Sequence, residues 1–219
     1  MQAAYDGNLQ LAQLLVSHGA ALAQLDKKGH PAVDFLREGH EPALAPLLRT
    51  VYFVPIGAVP AAQMEDLVGY YKERFGIEIK VLPALRVAPG DIDESRQQLI
   101  AENLITSMLG AHPEYAGNSS AILIGITAYD IYPRQYGWRF VFGWRDGQRD
   151  AAVASTARLG LHYYGEPPDE ATPLKRLRKV ITKDLGILLF EKSPSNNPRS
   201  VLYNGIGGIQ ELDEVSDDF

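Results

Sequence analysis

The chain has 219 residues, 46% apolar and 22% charged, with a formal net charge of −6 and a pI near 5.4. It contains no cysteine, which excludes a disulfide, a thiolate zinc site, an iron–sulfur cluster and a cysteine nucleophile. An acidic balance without a basic run argues against a dedicated nucleic-acid binder, while five histidines leave a histidine metal site open. Nothing basic precedes the first apolar stretch, so the N-terminus does not read as a secretory signal. The longest apolar runs, residues 121–126 and 186–190, fall far short of the ~20 residues a membrane helix needs. These features point to a cytoplasmic protein without a membrane partner.

Residues 1–50 are rich in Ala and Leu and helical in period. Leu11, Ala12, Leu14 and Leu15 recur 33 residues later as Leu44, Ala45, Leu47 and Leu48. That spacing and the local pieces resemble about one and a half ankyrin repeats. Leu9–Ser17 stands for a second helix, and His18-Gly19-Ala20 for its ending, where Gly supplies a positive φ. Asp26-Lys27-Lys28-Gly29 stands for the turn that opens the next repeat. His30-Pro31 starts that repeat's first helix, and Glu38-Gly39-His40 closes it. His18, His30 and His40 sit at turns and read as structural.

From Val51 the pattern changes. Residues 51–57 form a short apolar run ending in Pro and Gly, a buried strand. Met64, Leu67, Val68 and Tyr71 then recur at helical spacing until Gly76 stops the helix. Residues 77–82 alternate as a second strand, and residues 94–109 read as a second helix. Residues 121–127 are a near-continuous apolar run, a central strand. Residues 139–144 and 151–155 flank Asp146-Gly147 as a hairpin. Thr172 can cap a third helix, Pro173 fits its first turn, and Leu174, Leu177, Ile181, Leu185 and Leu188 form its apolar stripe. The expected class is α/β (α+β), a mixed sheet with packed helices behind a small all-α segment.

The last nine residues hold five acids, without which the net charge would be −1. Residues 211–219 read as a frayed, solvated terminus or as an acidic interaction tail. Asn204-Gly205-Ile206-Gly207-Gly208 fits no phosphate-binding motif and reads as a loop.

Between residues 51 and 210 the order of pieces resembles the archaemetzincins, a branch of the metzincin zinc peptidases with a zincin-like fold. Val54-Pro55-Ile56-Gly57 resembles their opening strand. Gly125-Ile126-Thr127 with Asp130-Ile131-Tyr132 resembles "GIT…DLY". Phe140-Val141-Phe142-Gly143 resembles "FVFG", and Ser155 with Arg158-Leu159 resembles "S…RL". The resemblance implies a zinc motif, HExxHxxGxxH, on the third helix. Two His one turn apart grip the metal, the Glu polarises water, and a third His follows a Gly-permitted reversal. In this sequence Lys183 and Ile187 stand at the first two ligand positions, Asp184 at the Glu, Phe190 at the Gly and Ser193 at the third His. Ser200-Val201-Leu202 resembles the family's "CVM" turn without Cys or Met.

Ile187 can donate nothing, Lys183 is a cation at neutral pH, and Ser193 is a poor ligand. No His follows His162, and His112 and His162 both precede the third helix. Zinc is therefore expected to be absent, with no other cofactor implied. The expectation is a non-catalytic pseudo-peptidase domain that binds a protein or peptide, with Phe140, Phe142, Trp144 and Tyr132 as groove residues along an edge strand. One alternative is a hydrolase using Asp184 in an atypical site. The other is an ankyrin-type interaction protein whose C-terminal domain is structural. Lys183 is the candidate to fill the vacated metal position and neutralise Asp184 or Asp130.

Overall fold

The computed structural model describes residues 1–36, 41–169 and 171–219. In chain order it contains α1 (Gln2–Tyr5), α2 (Leu9–Ser17), α3 (Glu41–Leu48), β1 (Thr50–Ile56), α4 (Ala61–Phe75) and β2 (Ile79–Val81). Then come β3 (Ile92–Asp93), β4 (Gln98–Ile100), α5 (Ala101–Ala111), β5 (Ala121–Thr127), β6 (Ile131–Tyr132) and β7 (Gly143–Asp146). The chain closes with β8 (Ala151–Ser155), α6 (Ala171–Leu188) and α7 (Ile209–Glu214).

The main sheet runs β2-β1-β5-β8-β7, with β7 the only antiparallel member and one edge. β1 and β5 are buried on both faces, as their unbroken apolar runs require. Their side chains still divide by the period of two. Val51, Phe53, Ile122, Ile124 and Ile126 face a core shared with α4 and α6. Tyr52, Val54, Ile56 and Leu123 face a second core under α5. The mixed α/β class is as the sequence implied. Among the described residues no helix is long and apolar enough to cross a membrane.

Several local expectations are corrected. The stretch 94–109 is not one helix, because β4 occupies residues 98–100 and α5 starts only at Ala101. The Asp93 carboxylate accepts from the Ser95 and Arg96 amides, and Gln97 takes a left-handed φ of 54°, which reverses the chain. Leu99 and Ile100 then pair with Ile131 and Tyr132 in a small three-stranded sheet. Tertiary pairing overrides the helical spacing here. Thr172 lies inside α6, and the Asp169 carboxylate accepts from the Ala171 and Thr172 amides.

The acidic tail is not frayed. Leu212 and Val215 are buried, and Phe219 stacks on Phe75 with ring centroids 5.3 Å apart and meets Phe190 at 4.8 Å. Asp213 forms a two-point pair with Arg176 of α6, at 2.8 and 2.6 Å. Asp218 pairs with Arg74 of α4. The sequence shows the acids but not the cations they meet, which lie 35 or more positions upstream.

The N-terminal helices have their own small core of Ala3, Ala4, Ala12, Val33, Leu44 and Leu48. Gly19 has φ +80° just past α2, and the Asp26 carboxylate accepts from the Lys28 and His30 amides. The segment Glu38-Gly39-His40, read as a helix ending, lies outside the described residues.

Candidate functional site: a basic, aromatic-walled cleft beside the edge strand

A cleft of about 700 Å³ opens between β7 and its lead-in (138–145) on one side and α6 with residues 204–207 on the other. The α6 wall follows helical spacing, with Lys179, Val180, Lys183 and Asp184 on one face. The other wall carries Phe140 and Phe142 with Trp138 at the rim, while Trp144, at the cleft's edge, packs on the opposite face of β7 from Arg145, against the core under α5. The two walls meet at Gly143. A Cβ there would lie 2.7 Å from Val180 Cγ1, so only glycine allows this approach.

Arg145 of β7 donates from Nη1 to Asp184 Oδ1 at 2.6 Å. Asp184 is 5% exposed, and its Oδ2 has no hydrogen-bond partner among the described residues. Burial raises the Asp184 carboxyl above the ordinary aspartate value, against the opposing pull of Arg145 and Lys183. Burial also lowers the Lys183 ammonium, with Asp184 acting the other way. Lys183 donates from Nζ to the Tyr203 carbonyl, not to Asp184 or Asp130 as expected. Asp130 is instead gripped by Arg158, Nε to Oδ1 at 2.8 Å and Nη2 to Oδ2 at 2.5 Å. The guanidinium fork suits a carboxylate better than a point ammonium does.

Of the four degenerate motif positions, Lys183 and Asp184 line the cleft. Ile187 packs at the rim of the larger core, and Ser193 is exposed beyond the end of α6. The chain reversal after α6 occurs at Glu191, with φ +51°, one residue beyond Phe190. Phe140 and Phe142 lie along the cleft and Trp144 at its edge, whereas Tyr132 lies away from it. Tyr132 is buried in the small sheet, where its hydroxyl donates to Asp93 and Arg96 lies 3.8 Å from its ring centroid. It alternates onto that sheet and away from the groove. His162 is exposed, His112 lies 3.8 Å from Glu114, and neither reaches the cleft.

The remaining resemblance motifs serve the scaffold. Ser155 donates to the Tyr129 carbonyl at 2.6 Å, and the Asp130–Arg158 pair braces β6 against the segment after β8. Val201 and Leu202 are buried, and Leu202 lies where a Cβ on Gly186 would meet it at 2.8 Å. The sequence reading missed Arg145, Arg139, Lys179 and residues 204–207 as cleft residues. The only signal for Lys179 was its place one helical turn before Lys183.

The residues do not fit zinc. Zinc needs three or four N, S or O donors at ~2.0–2.3 Å. The cleft floor offers one carboxylate already paired with Arg145 and a lysine, with Ile187 one turn on.

No family model matches the chain. It is 28% identical over 160 residues to the archaemetzincin of Pyrococcus furiosus, spanning 70% of this chain and 79% of that one. It is 29% identical over 164 residues to the archaemetzincin of Pyrococcus abyssi, spanning 72% and 83%. Among solved structures, the archaemetzincin of Archaeoglobus fulgidus, in complex with malonate, superposes with a TM-score of 0.61 at 24% identity. It covers 78% of this chain and 95% of that one. A zinc-dependent peptidase from Methanocorpusculum labreanum reaches a TM-score of 0.65 at 18% identity, covering 77% and 95%. The fold is like that of these archaemetzincins.

Proposed function

We propose that this chain is a cytoplasmic pseudo-peptidase, which uses an archaemetzincin-like scaffold to bind an extended protein or peptide segment rather than cleave it. The observation that carries this reading is the Arg145–Asp184 pair. The residue that stands at the catalytic Glu of the resembled motif is held by a guanidinium, and no His, Cys or second carboxylate is among the described residues that line the cleft with it. Without a bound ion nothing lowers the pKa of water toward ~7, so Asp184 is left a weak general base. The retained feature is the edge strand β7, which can pair with an extended segment while the aromatic wall takes alternate side chains.

The test is elemental analysis of the purified chain after zinc-supplemented expression, together with a broad peptide and ester panel. Zinc well below stoichiometry and no turnover are expected. One equivalent of zinc per chain, or turnover abolished by Asp184→Asn, overturns the proposal.

A second reading places partner binding on an ankyrin-like segment of residues 1–50, with residues 51–210 structural. It is favoured by the exposure of Leu9, Leu11, Leu14, Leu15 and Leu25 on that segment. Partner capture that survives deletion of residues 1–49 counts against it.

A further inference from the structure

The charge in the cleft is one-sided. Arg139, Arg145, Lys179 and Lys183 line it, and Asp184 is the one carboxylate among the described lining residues. Asp184 is already paired with Arg145. Lys179 directs Nζ at the Leu212 and Asp213 carbonyls, 3.1 and 2.7 Å away, and lies 4.0 Å from the Asp217 carboxylate. Lys183 is half-buried and has only the Tyr203 carbonyl for its three donors, and Arg139 forms no ion pair among the described residues. Lys183 therefore carries surplus positive charge in a partly desolvated place, where a counter-anion is worth more than at the open surface, and Arg139 adds an exposed charge at the rim.

The same helix already shows how it takes acidic chain. Arg176 and Lys179 of α6 receive Asp213 and Asp217 of the protein's own C-terminal segment, whose acids alternate with Leu212, Val215 and Phe219. Lys183 is the next cation along that face, one turn on; Asp184 acts on it only at longer range, and among the described residues no carboxylate forms an ion pair with it. The surplus cations sit on both walls of the groove, Arg139 on the strand side and Lys183 on the helix side. Several carboxylates spaced along an extended segment match that distribution better than a single terminal carboxylate does.

We infer that the cleft recognises an extended acidic segment of a partner protein, its Asp or Glu side chains meeting Lys183 and Arg139 and its apolar side chains lying against Phe140 and Phe142. This rests on the peptide-binding reading above and specifies the ligand class.

The test uses the full chain and fluorescence anisotropy with three labelled decapeptides of alternating sequence. The first alternates Glu with Val, the second Gln with Val, the third Lys with Val. The Glu peptide is expected to bind about tenfold or more tightly than the Gln peptide, the scale of one charge-assisted contact, and to weaken with salt. Lys183→Met and Arg139→Gln should each lower Glu-peptide affinity about 5- to 10-fold and leave Gln-peptide affinity unchanged. Lys72→Gln on the exposed face of α4 should change neither. Circular dichroism checks folding, and if Lys183→Met does not fold, Arg139→Gln decides. If the Gln or Lys peptide binds as tightly as the Glu peptide, or both variants keep the full acid preference, the inference fails while peptide binding stands. If none of the three binds at about 100 μM, some 5.5 kcal/mol of affinity, both fail.

Discussion

Arg145 on the edge strand and Asp184 on the long helix α6 meet at 2.6 Å and tie the two walls of the cleft together. Asp184 is almost fully buried and Arg145 about one-fifth exposed at the side chain. Arg145 thereby supplies the counter-charge that a buried carboxylate needs.

Removing Arg145 strands that carboxylate. Arg145→Met is expected to destabilise the fold by about 2–4 kcal/mol near neutral pH, below the full cost of breaking a buried pair because Arg145 is partly solvated. The loss should be larger at pH 8 than at pH 5, since a protonated Asp184 needs no counter-charge. Urea unfolding at both pH values is the measurement, and an equal loss at the two would contradict this account.

The pH dependence of Asp184 itself has a definite sign. Its native pKa lies above the unfolded value of 3.8 because of burial. The stability it contributes is therefore fully present below that value and is lost as pH rises through the native pKa. Asp184→Asn should thus gain stability relative to the native chain across that window, from just below pH 4 upward. A difference that stays flat with pH would show that Asp184 is not shifted.

The C-terminal segment should behave as core, not as tail. Leu212→Ala is expected to cost about 2–4 kcal/mol, the range for a buried leucine. Asp218→Asn, whose pair with Arg74 is half exposed and screened by solvent, should cost much less. Chemical denaturation of both variants separates packing from charge. A Leu212→Ala loss of no more than a few tenths would restore the frayed terminus.

Gly143→Ala should cost about 1–3 kcal/mol, because the new methyl meets Val180 Cγ1 and the Val153 carbonyl where β7 crosses α6. The same change should weaken any peptide held in the cleft, read by anisotropy. Unaltered stability would mean that the two walls can part without penalty.

Legibility followed the range of the interactions. β5 falls on residues 121–127 as read, because a fully buried strand must be apolar throughout. Helix α4 ends at Gly76 for the local reason that a left-handed cap favours glycine. Residues 94–109 were misread because leucines and isoleucines at helical spacing serve β4 first and α5 afterwards. Phe140, Phe142 and Trp144 come beside the cleft because they stand before and on the edge strand β7. Tyr132 was misplaced because its pairing with β4 sends it to another sheet.

The sequence by itself determined the mixed α/β class, the position of the long helix α6 and the absence of histidine from it. These depend on side-chain periodicity and on which atoms a residue can offer to a metal. Only the tertiary structure decided that Arg145 rather than Lys183 neutralises Asp184, and that Lys183 turns to the Tyr203 carbonyl. It alone decided that the acidic terminus is folded onto Arg176, Lys179 and Arg74. Ion pairs join residues far apart in the chain, and charge at one position does not name the partner that desolvation will force upon it.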